Sequence, residues 1–270
     1  LINTLHKQAH KFFKRYGKEG RHQQDLFEIL LISFWTFVVC RSYFNFDRLV
    51  IPGGREFSSA SQTHHLWTRF QECGWCALWN GSAAGGYPAF ADPFGSMLHP
   101  LVIMTTLLAG VVNGAKIALM LSFWTAGIAQ WWIARELRLS AAARIWSSGL
   151  AVAGGHLSAR MELGAFGVVL STAMASLVFG AVLHLFNHPG RRGTVILGMI
   201  TASAILSGQG YIQLGLLGTL PAFGFLLLDR KFRLKNSWGD YLWALMIALL
   251  LSAVLLVPFI HFSPHFTKHT

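Results

Sequence analysis

The side chains that could carry out chemistry gather in two polar stretches of an otherwise apolar chain. The first stretch, residues 45–99, offers acids, bases and imidazoles: Asp47, Arg55, Glu56, His64, His65, Arg69, Asp92 and His99. Carboxyl groups at the low-dielectric edge of a membrane have raised pKa values and can act as base and acid in a group transfer. Glu56 and Asp92 are therefore the candidate catalytic acids. The alternative is a solvated loop with ordinary charges.

The second stretch is the segment HLSARME, which brings His156, Arg160 and Glu162 together. His156 and Arg160 are four residues apart and so share one face of a helix. A cation and an imidazole at the end of an apolar span form an anion or phosphate site at the lipid boundary. The alternative for Arg160 is snorkelling, in which the long side chain reaches the membrane interface without binding a ligand.

The remaining motifs exclude several kinds of site. The loop has no Asp-x-Asp pair that could chelate a diphosphate through a metal, and no residue is assigned as a metal ligand. Cys73 and Cys76 form a C-x-x-C without a following His or a second pair, which leaves a local disulfide or two free thiols. The sequence has no phosphate-binding G-x-x-x-x-G-K-[ST] loop, so ATP-driven transport is not indicated. The predicted spans contain no series of acidic residues, so an ion pump is not indicated either. The sequence indicates no particular cofactor and leaves a divalent metal open.

Composition identifies the kind of protein that must position these residues. The chain has 270 residues, of which 53% are hydrophobic and 12% are charged. Soluble domains carry about 25% charged residues, so this chain is predicted to be a polytopic membrane protein. The net charge of +11 lies in short basic clusters between apolar runs. Such clusters are typical of membrane topology, and a nucleic-acid partner is not indicated.

The apolar runs predict an all-α transmembrane bundle with about seven spans, some of them short or broken. An uncleaved anchor covers residues 26–44, and the bundle covers residues 100–260, starting with a short segment at 101–108. The further spans are predicted at 112–134, 141–155, 166–186, 195–206, 214–228 and 241–260. Breaks are expected at Gly154-Gly155 and at Gly208-Gln209-Gly210. Residues 1–25 form a basic segment, residues 45–99 a long outer loop and residues 261–270 a tail.

The basic residues also predict an orientation. Fifteen of the 22 Lys and Arg fall in the N-terminal segment and in alternate loops, so that segment is predicted to be cytoplasmic and the 45–99 loop extracytoplasmic. The chain starts at Leu1 without Met and stops at Thr270 just after an apolar run. We therefore expect it to be the N-terminal portion of a longer protein.

The outer loop resembles that of a known family. Its ordered motifs are Gly74-Trp75-Cys76-Ala77-Leu78-Trp79-Asn80, Gly85-Gly86-Tyr87-Pro88, Ala91-Asp92-Pro93 and His99-Pro100-Leu101. They resemble the YfhO-like bacterial membrane proteins, with Ala77 where Pro is usual and His99 where an aromatic residue is usual. The resemblance spans residues 26–260, although the helices match mainly in hydropathy.

The resemblance implies a GT-C-like glycosyltransferase of the bacterial inner membrane that uses a polyprenyl-phosphate sugar donor. It implies a catalytic acid in the first outer loop (Glu56 or Asp92) and a donor-phosphate site at His156 and Arg160. The substrate-lining candidates are His64, His65, Arg69, Trp79, Asn80 and Tyr87.

The position of the acid departs from the family pattern. The family acid commonly follows a Gly-Gly pair, whereas Arg55 separates Gly53-Gly54 from Glu56 here. This displacement favours the alternative hypothesis, a non-catalytic scaffold or accessory subunit of a larger membrane complex. A transporter or a lipid-handling protein is a third hypothesis.

Overall fold

The architecture is almost wholly helical, as the sequence predicts. The computed structural model describes residues 23–50, 66–67, 69–80, 87–88, 95–162, 165–208 and 238–262. The α-helices are α1 (residues 23–39), α2 (residues 66–67 and 69–73), α3 (Pro100–Glu136), α4 (Ala141–Ala153), α5 (His156–Glu162), α6 (Phe166–Asn187), α7 (Arg191–Leu206) and α8 (Trp238–Phe262). Two 3-10 helices, Arg41–Phe44 and Gly74–Leu78, flank α2. A two-residue antiparallel ladder pairs β1 (Trp79–Asn80) with β2 (Tyr87–Pro88).

Three of the described helices, α3, α6 and α8, are long and apolar enough to cross a membrane. The 13 residues of α4 and the 16 of α7 correspond to about 20 and 24 Å of helix, less than the roughly 30 Å apolar core of a bilayer. These short helices agree with the expected mixture of full and short segments. The span predicted at 214–228 lies outside the described residues.

The starts of α1 and α4 lie at the end of the bundle where α3 and α6 finish, so the connections collect at two ends. At one end Arg135 pairs with Asp25, and Glu136 contacts His184. We call this the basic end, because Arg138, Arg144, Arg191 and Arg192 also lie in its connections and first turns. At the other end the first residues after α1 contact α3, and α5 joins α4 to α6. We call this the loop end.

Gly110 interrupts α3 near the loop end. Its φ of 76° is unfavourable for residues with a side chain, and it separates residues 100–109 from the long segment 111–136. The first segment folds back so closely that a methyl group on Gly114 would lie 2.6 Å from the backbone oxygen of Thr105. The break confirms the predicted boundary between the short segment at 101–108 and the span at 112–134. Gly155, at φ 78°, similarly ends the α4 region at the expected place.

The main core lies between α3 and α6 and extends to the loop end. Leu119, Phe123, Leu170 and Ala173 are among its buried members. A smaller cluster joins α6, α7 and the beginning of α8. The outward side of α8 remains covered with exposed apolar side chains, as expected for a helix that faces lipid.

Candidate functional sites at the two ends of the bundle

The predicted catalytic acids belong to the part of the loop that the structure does not describe. Glu56, Asp92, His64 and His65 lie outside the described residues. Asn80 and Tyr87 are described only through their backbones, which pair with each other across the β1–β2 ladder. The ladder thus brings the G-W-C-A-L-W-N and G-G-Y-P motifs together.

The predicted phosphate-binding pair lies on the exposed face of α5. His156 and Arg160 are both exposed, while Leu157 and Met161 on the opposite face are buried in the main core. The one-turn spacing of His156 and Arg160 therefore places them on a common surface at the loop end, as expected.

The start of the outer loop packs on the same cluster as α5. Cys40 and Tyr43, at the end of α1 and in the following 3-10 helix, join Val102, Leu157 and Met161 in the main core. The loop start and the base of the His156/Arg160 surface thus share one end of the molecule. The described contacts do not join Arg160 to any of the predicted loop residues.

The other described loop candidates are near the C-x-x-C. Nη1 of Arg69 lies 2.9 Å from Oε2 of Glu72, so these exposed charges compensate each other. Trp79 is 49% exposed and could contact a ligand or lipid. Cys73 and Cys76 are joined as a disulfide, which selects one of the two interpretations from the sequence.

Lys116 fixes the first residues of the loop, a role that the sequence analysis missed. It is fully buried in α3, and its Nζ donates hydrogen bonds to the backbone oxygens of Asn45 and Asp47, the latter at 2.9 Å. The Nδ2 of Asn113 donates to the backbone oxygen of Phe46 at 2.9 Å. A Lys in the apolar run 112–134 was a visible signal, because a buried ammonium requires hydrogen-bond acceptors.

His99 is buried instead of lying free in the loop. It is 2% exposed, and its Nδ1 accepts a hydrogen bond from the backbone N–H of Leu101 at 3.2 Å, which caps α3. Burial disfavours the imidazolium form and lowers the pKa of His99 to about 4. His99 therefore has a structural role at neutral pH.

A buried ion pair lies at the basic end. Glu28 on α1 is 1% exposed, and Arg144 on α4 donates to both of its carboxylate oxygens, from Nε at 2.8 Å and from Nη2 at 2.5 Å. Nε1 of Trp131 on α3 donates to Oε2 of Glu28 at 2.6 Å. Three helices are therefore joined by one carboxylate.

A second carboxylate lies on the same end, next to two imidazoles. Nδ1 of His184 is 2.7 Å from Oε1 of Glu136, and Nδ1 of His188 is 3.7 Å from Oε2. Asn187 donates from Nδ2 to Oε2 of Glu136 at 2.9 Å, and Trp132 donates from Nε1 to Oε1 at 3.2 Å. One ligand atom from each of Glu136, His184 and His188 fits within 4.8 Å of the others.

A cavity of about 860 Å³ adjoins Glu136 and extends to Arg144, the partner of Glu28. Its lining includes Asp25, Arg135, Glu136, Arg144, His184 and His188. His184 and His188 are four residues apart, and this H-x-x-x-H spacing is the local signal in the sequence that could have pointed to the cluster. Glu136 is 48 residues before His184, and no local pattern could show that the two meet.

Comparison with known proteins identifies no relative: no family model matches the chain, and neither a curated protein nor a solved structure matches it.

Proposed function

We propose that this chain is a multi-span protein of the bacterial cytoplasmic membrane that transfers a sugar from a polyprenyl-phosphate donor at its loop end. The observation that carries the proposal is the common core beneath Cys40, Tyr43, Leu157 and Met161. This core brings the start of the acid-bearing loop and the His156/Arg160 surface to one end. The GT-C-like assignment itself depends on the loop motifs.

The proposed reaction is a displacement at the anomeric carbon of the sugar. Glu56 or Asp92 takes the proton from an acceptor hydroxyl, whose oxygen forms the new bond to the sugar. The bond between the sugar and the lipid phosphate breaks, and its electron pair leaves with the phosphate oxygen. Arg160 and His156 stabilise that departing anion, since donors aimed at developing charge are a major source of catalysis.

The other candidate residues would hold the donor and the acceptor. Trp79 and Tyr87 offer aromatic faces on which a sugar can stack, and the half-exposed ring of Trp79 suits this role. His64, His65, Arg69 and Asn80 would line the substrate. Membrane lipid and the polyprenyl-phosphate sugar are then the partners, together with other membrane subunits if the chain belongs to a complex.

The proposed sidedness puts the basic end in the cytoplasm. It is supported by the collection of Arg135, Arg138, Arg144 and the Arg191-Arg192 pair at one end of the helices. A membrane-impermeant thiol reagent added from outside should label Ser82→Cys and spare Asn236→Cys, in a background without reactive native thiols. The opposite pattern would overturn the orientation.

The transfer is tested by release of polyprenyl phosphate from a labelled polyprenyl-phosphate sugar in proteoliposomes. We expect Glu56→Gln or Asp92→Asn to abolish release without lowering membrane insertion. Arg160→Ala should weaken donor binding by about 10- to 150-fold, because a hydrogen bond to a charged group contributes about 1.5–3 kcal/mol. Arg138→Ala, at the opposite end, is the matched control and should change neither property. Full release by both acid variants would refute the assignment.

The second candidate is a non-catalytic scaffold within a larger membrane complex. The mutual compensation of Arg69 and Glu72 supports it, because a paired cation is a weaker substrate ligand. The Arg55 insertion before Glu56 supports it as well. Two results together would favour the scaffold over the enzyme. Arg160→Ala would bind the donor as tightly as the unaltered protein does, and the unaltered protein would release no polyprenyl phosphate.

A further inference from the structure

We infer that Glu136, His184 and His188 form a binding site for one divalent transition-metal ion of the zinc class, at the basic end of the bundle. The site lies at the opposite end from the proposed transfer reaction and is independent of it. It joins the last residue of α3 to the final turn of α6 and the residue after it.

The spacing of the ligand atoms fits such an ion. Tetrahedral zinc with bonds of about 2.0–2.2 Å to nitrogen and oxygen places neighbouring ligand atoms about 3.4 Å apart. Nδ1 of His184 lies 2.7 Å from Oε1 of Glu136 and Nδ1 of His188 lies 3.7 Å from Oε2, and one ligand atom from each of the three residues lies within 4.8 Å of the others. The two rings lie with centroids 4.9 Å apart and tilted by 33°. Binding of an ion therefore requires the three ligand atoms to close from within 4.8 Å of one another to about 3.4 Å.

Neighbouring side chains hold the carboxylate in place. Asn187 donates both to Oε2 of Glu136 at 2.9 Å and to its backbone oxygen at 3.0 Å. The indole N–H of Trp132 donates to Oε1, and its rings lie 5.5 Å from the His184 ring. Such outer contacts orient metal ligands and typically change metal affinity by about 10- to 100-fold when removed.

The ligand types select the class of metal. Two imidazoles and one carboxylate suit zinc and its first-row neighbours, whereas magnesium and calcium prefer all-oxygen ligands. Three protein ligands leave a fourth position, and the adjoining cavity of about 860 Å³ has room for water or an anion there.

The surrounding charges allow a cation to bind. Two of the arginines that line the cavity are paired, Arg135 with Asp25 and Arg144 with Glu28. The side chain of Glu136 is 8% exposed, and its charge is directed to the two imidazoles. Arg138 also lines the cavity but is solvent-exposed, where its charge is screened. The carboxylate therefore supplies the negative charge that a bound cation requires.

The experiment uses the full chain in detergent, purified without a histidine tag and freed of metal with a chelator. Titration with Zn²⁺ should show one site per chain by calorimetry, and Co²⁺ should give the visible absorption of an imidazole-bound ion. His188→Gln is the decisive variant, because His188 is 65% exposed and its loss should leave the fold intact. We expect at least a 10-fold loss of Zn²⁺ affinity in His188→Gln and also in Glu136→Gln.

His261→Gln is the matched control, because His261 is an exposed imidazole in the last turn of α8. It should bind Zn²⁺ like the unaltered chain. Absence of a one-to-one site in the unaltered chain would mean a hydrogen-bonded cluster only, and the inference would be overturned. Binding that is equal in all the variants would overturn it too. Because no sugar donor is present in this experiment, its failure leaves the proposed transfer untouched.

Discussion

Replacing Arg144 by Met would leave the carboxylate of Glu28 buried without its cationic partner. Glu28 is 1% exposed and receives two hydrogen bonds from Arg144, so the variant loses both of them and the compensating charge. Removing one partner of a buried ion pair costs about 3–5 kcal/mol. The indole of Trp131 still donates to Oε2 of Glu28 and keeps one hydrogen bond in the variant.

Protonation sets an upper bound on this cost. Neutralising a carboxyl group with an ordinary pKa of about 4.3 at pH 7 requires about 3.7 kcal/mol, and at pH 5 it requires about 1 kcal/mol. The loss of stability in Arg144→Met should therefore be about 3 kcal/mol, and no more than about 3.7 kcal/mol, at neutral pH, and it should shrink toward pH 5. For a chain of this size the midpoint temperature of thermal unfolding changes by about 2–4 °C for each kcal/mol of stability, so it should fall by about 10 °C in this variant.

The measurement is thermal unfolding in detergent at pH 7 and pH 5, read by size-exclusion chromatography of the remaining folded protein. The double variant Glu28→Gln/Arg144→Met removes both charges and keeps an acceptor for Trp131, so it should be more stable than Arg144→Met alone. Asp25→Asn breaks the more exposed pair with Arg135, where 44% of the Arg135 side chain is accessible, and should cost no more than about 1 kcal/mol. Equal losses in Arg144→Met and Asp25→Asn would refute the reasoning.

Two further changes test the loop end. Gly114→Ala places a methyl group 2.6 Å from the backbone oxygen of Thr105, so it should destabilise the protein by about 1–3 kcal/mol. In the control Gly149→Ala the added methyl group meets no atom within 4 Å, so this variant should be neutral or raise stability by up to about 1 kcal/mol. Similar melting temperatures for the two variants would contradict the close approach of Gly114 to Thr105. Burial lowers the pKa of His99 to about 4 in the folded protein, whereas the unfolded value is about 6.5. As the pH drops, the unfolded chain therefore binds the proton first. The free energy of unfolding should fall between pH 6.5 and pH 4, by up to about 3 kcal/mol. His99→Asn keeps an acceptor for the N–H of Leu101 and should flatten this pH dependence in thermal unfolding; an unchanged slope would contradict it.

Hydropathy alone was enough to predict the helical class and most helix positions. The all-α prediction is confirmed, and the short segment before Gly110 and the break at Gly154-Gly155 are where the sequence predicts them. These features depend on local composition and on glycine, which a sequence shows directly. The count of seven spans remains a prediction, since three of the described helices meet the length and hydropathy of a crossing.

The side-chain partners were not predictable in the same way. Glu28 meets Arg144 across 116 residues, and Glu136 meets His184 across 48. Such pairs arise from the side-by-side packing of helices that are distant in the sequence, and nothing in the local sequence of either residue specifies the other. His99 is a converse case, because it was grouped with the polar side chains of the 45–99 stretch but is buried as a helix cap.

The bonds of Lys116 have a consequence for how the two described ends of the outer loop are held. The loop leaves the bundle through Asn45 and Asp47, which are fastened to α3, and it returns at His99, which begins the same helix. Gly110 separates the segment of α3 that begins after His99 from the segment that carries Lys116, and the two pack closely enough that a methyl group on Gly114 would meet Thr105. The entropy of bringing the two described ends of the loop together is therefore already lost in the folded state. Loss of the Lys116 bonds would restore part of that entropy at the end of the loop formed by Asn45 and Asp47.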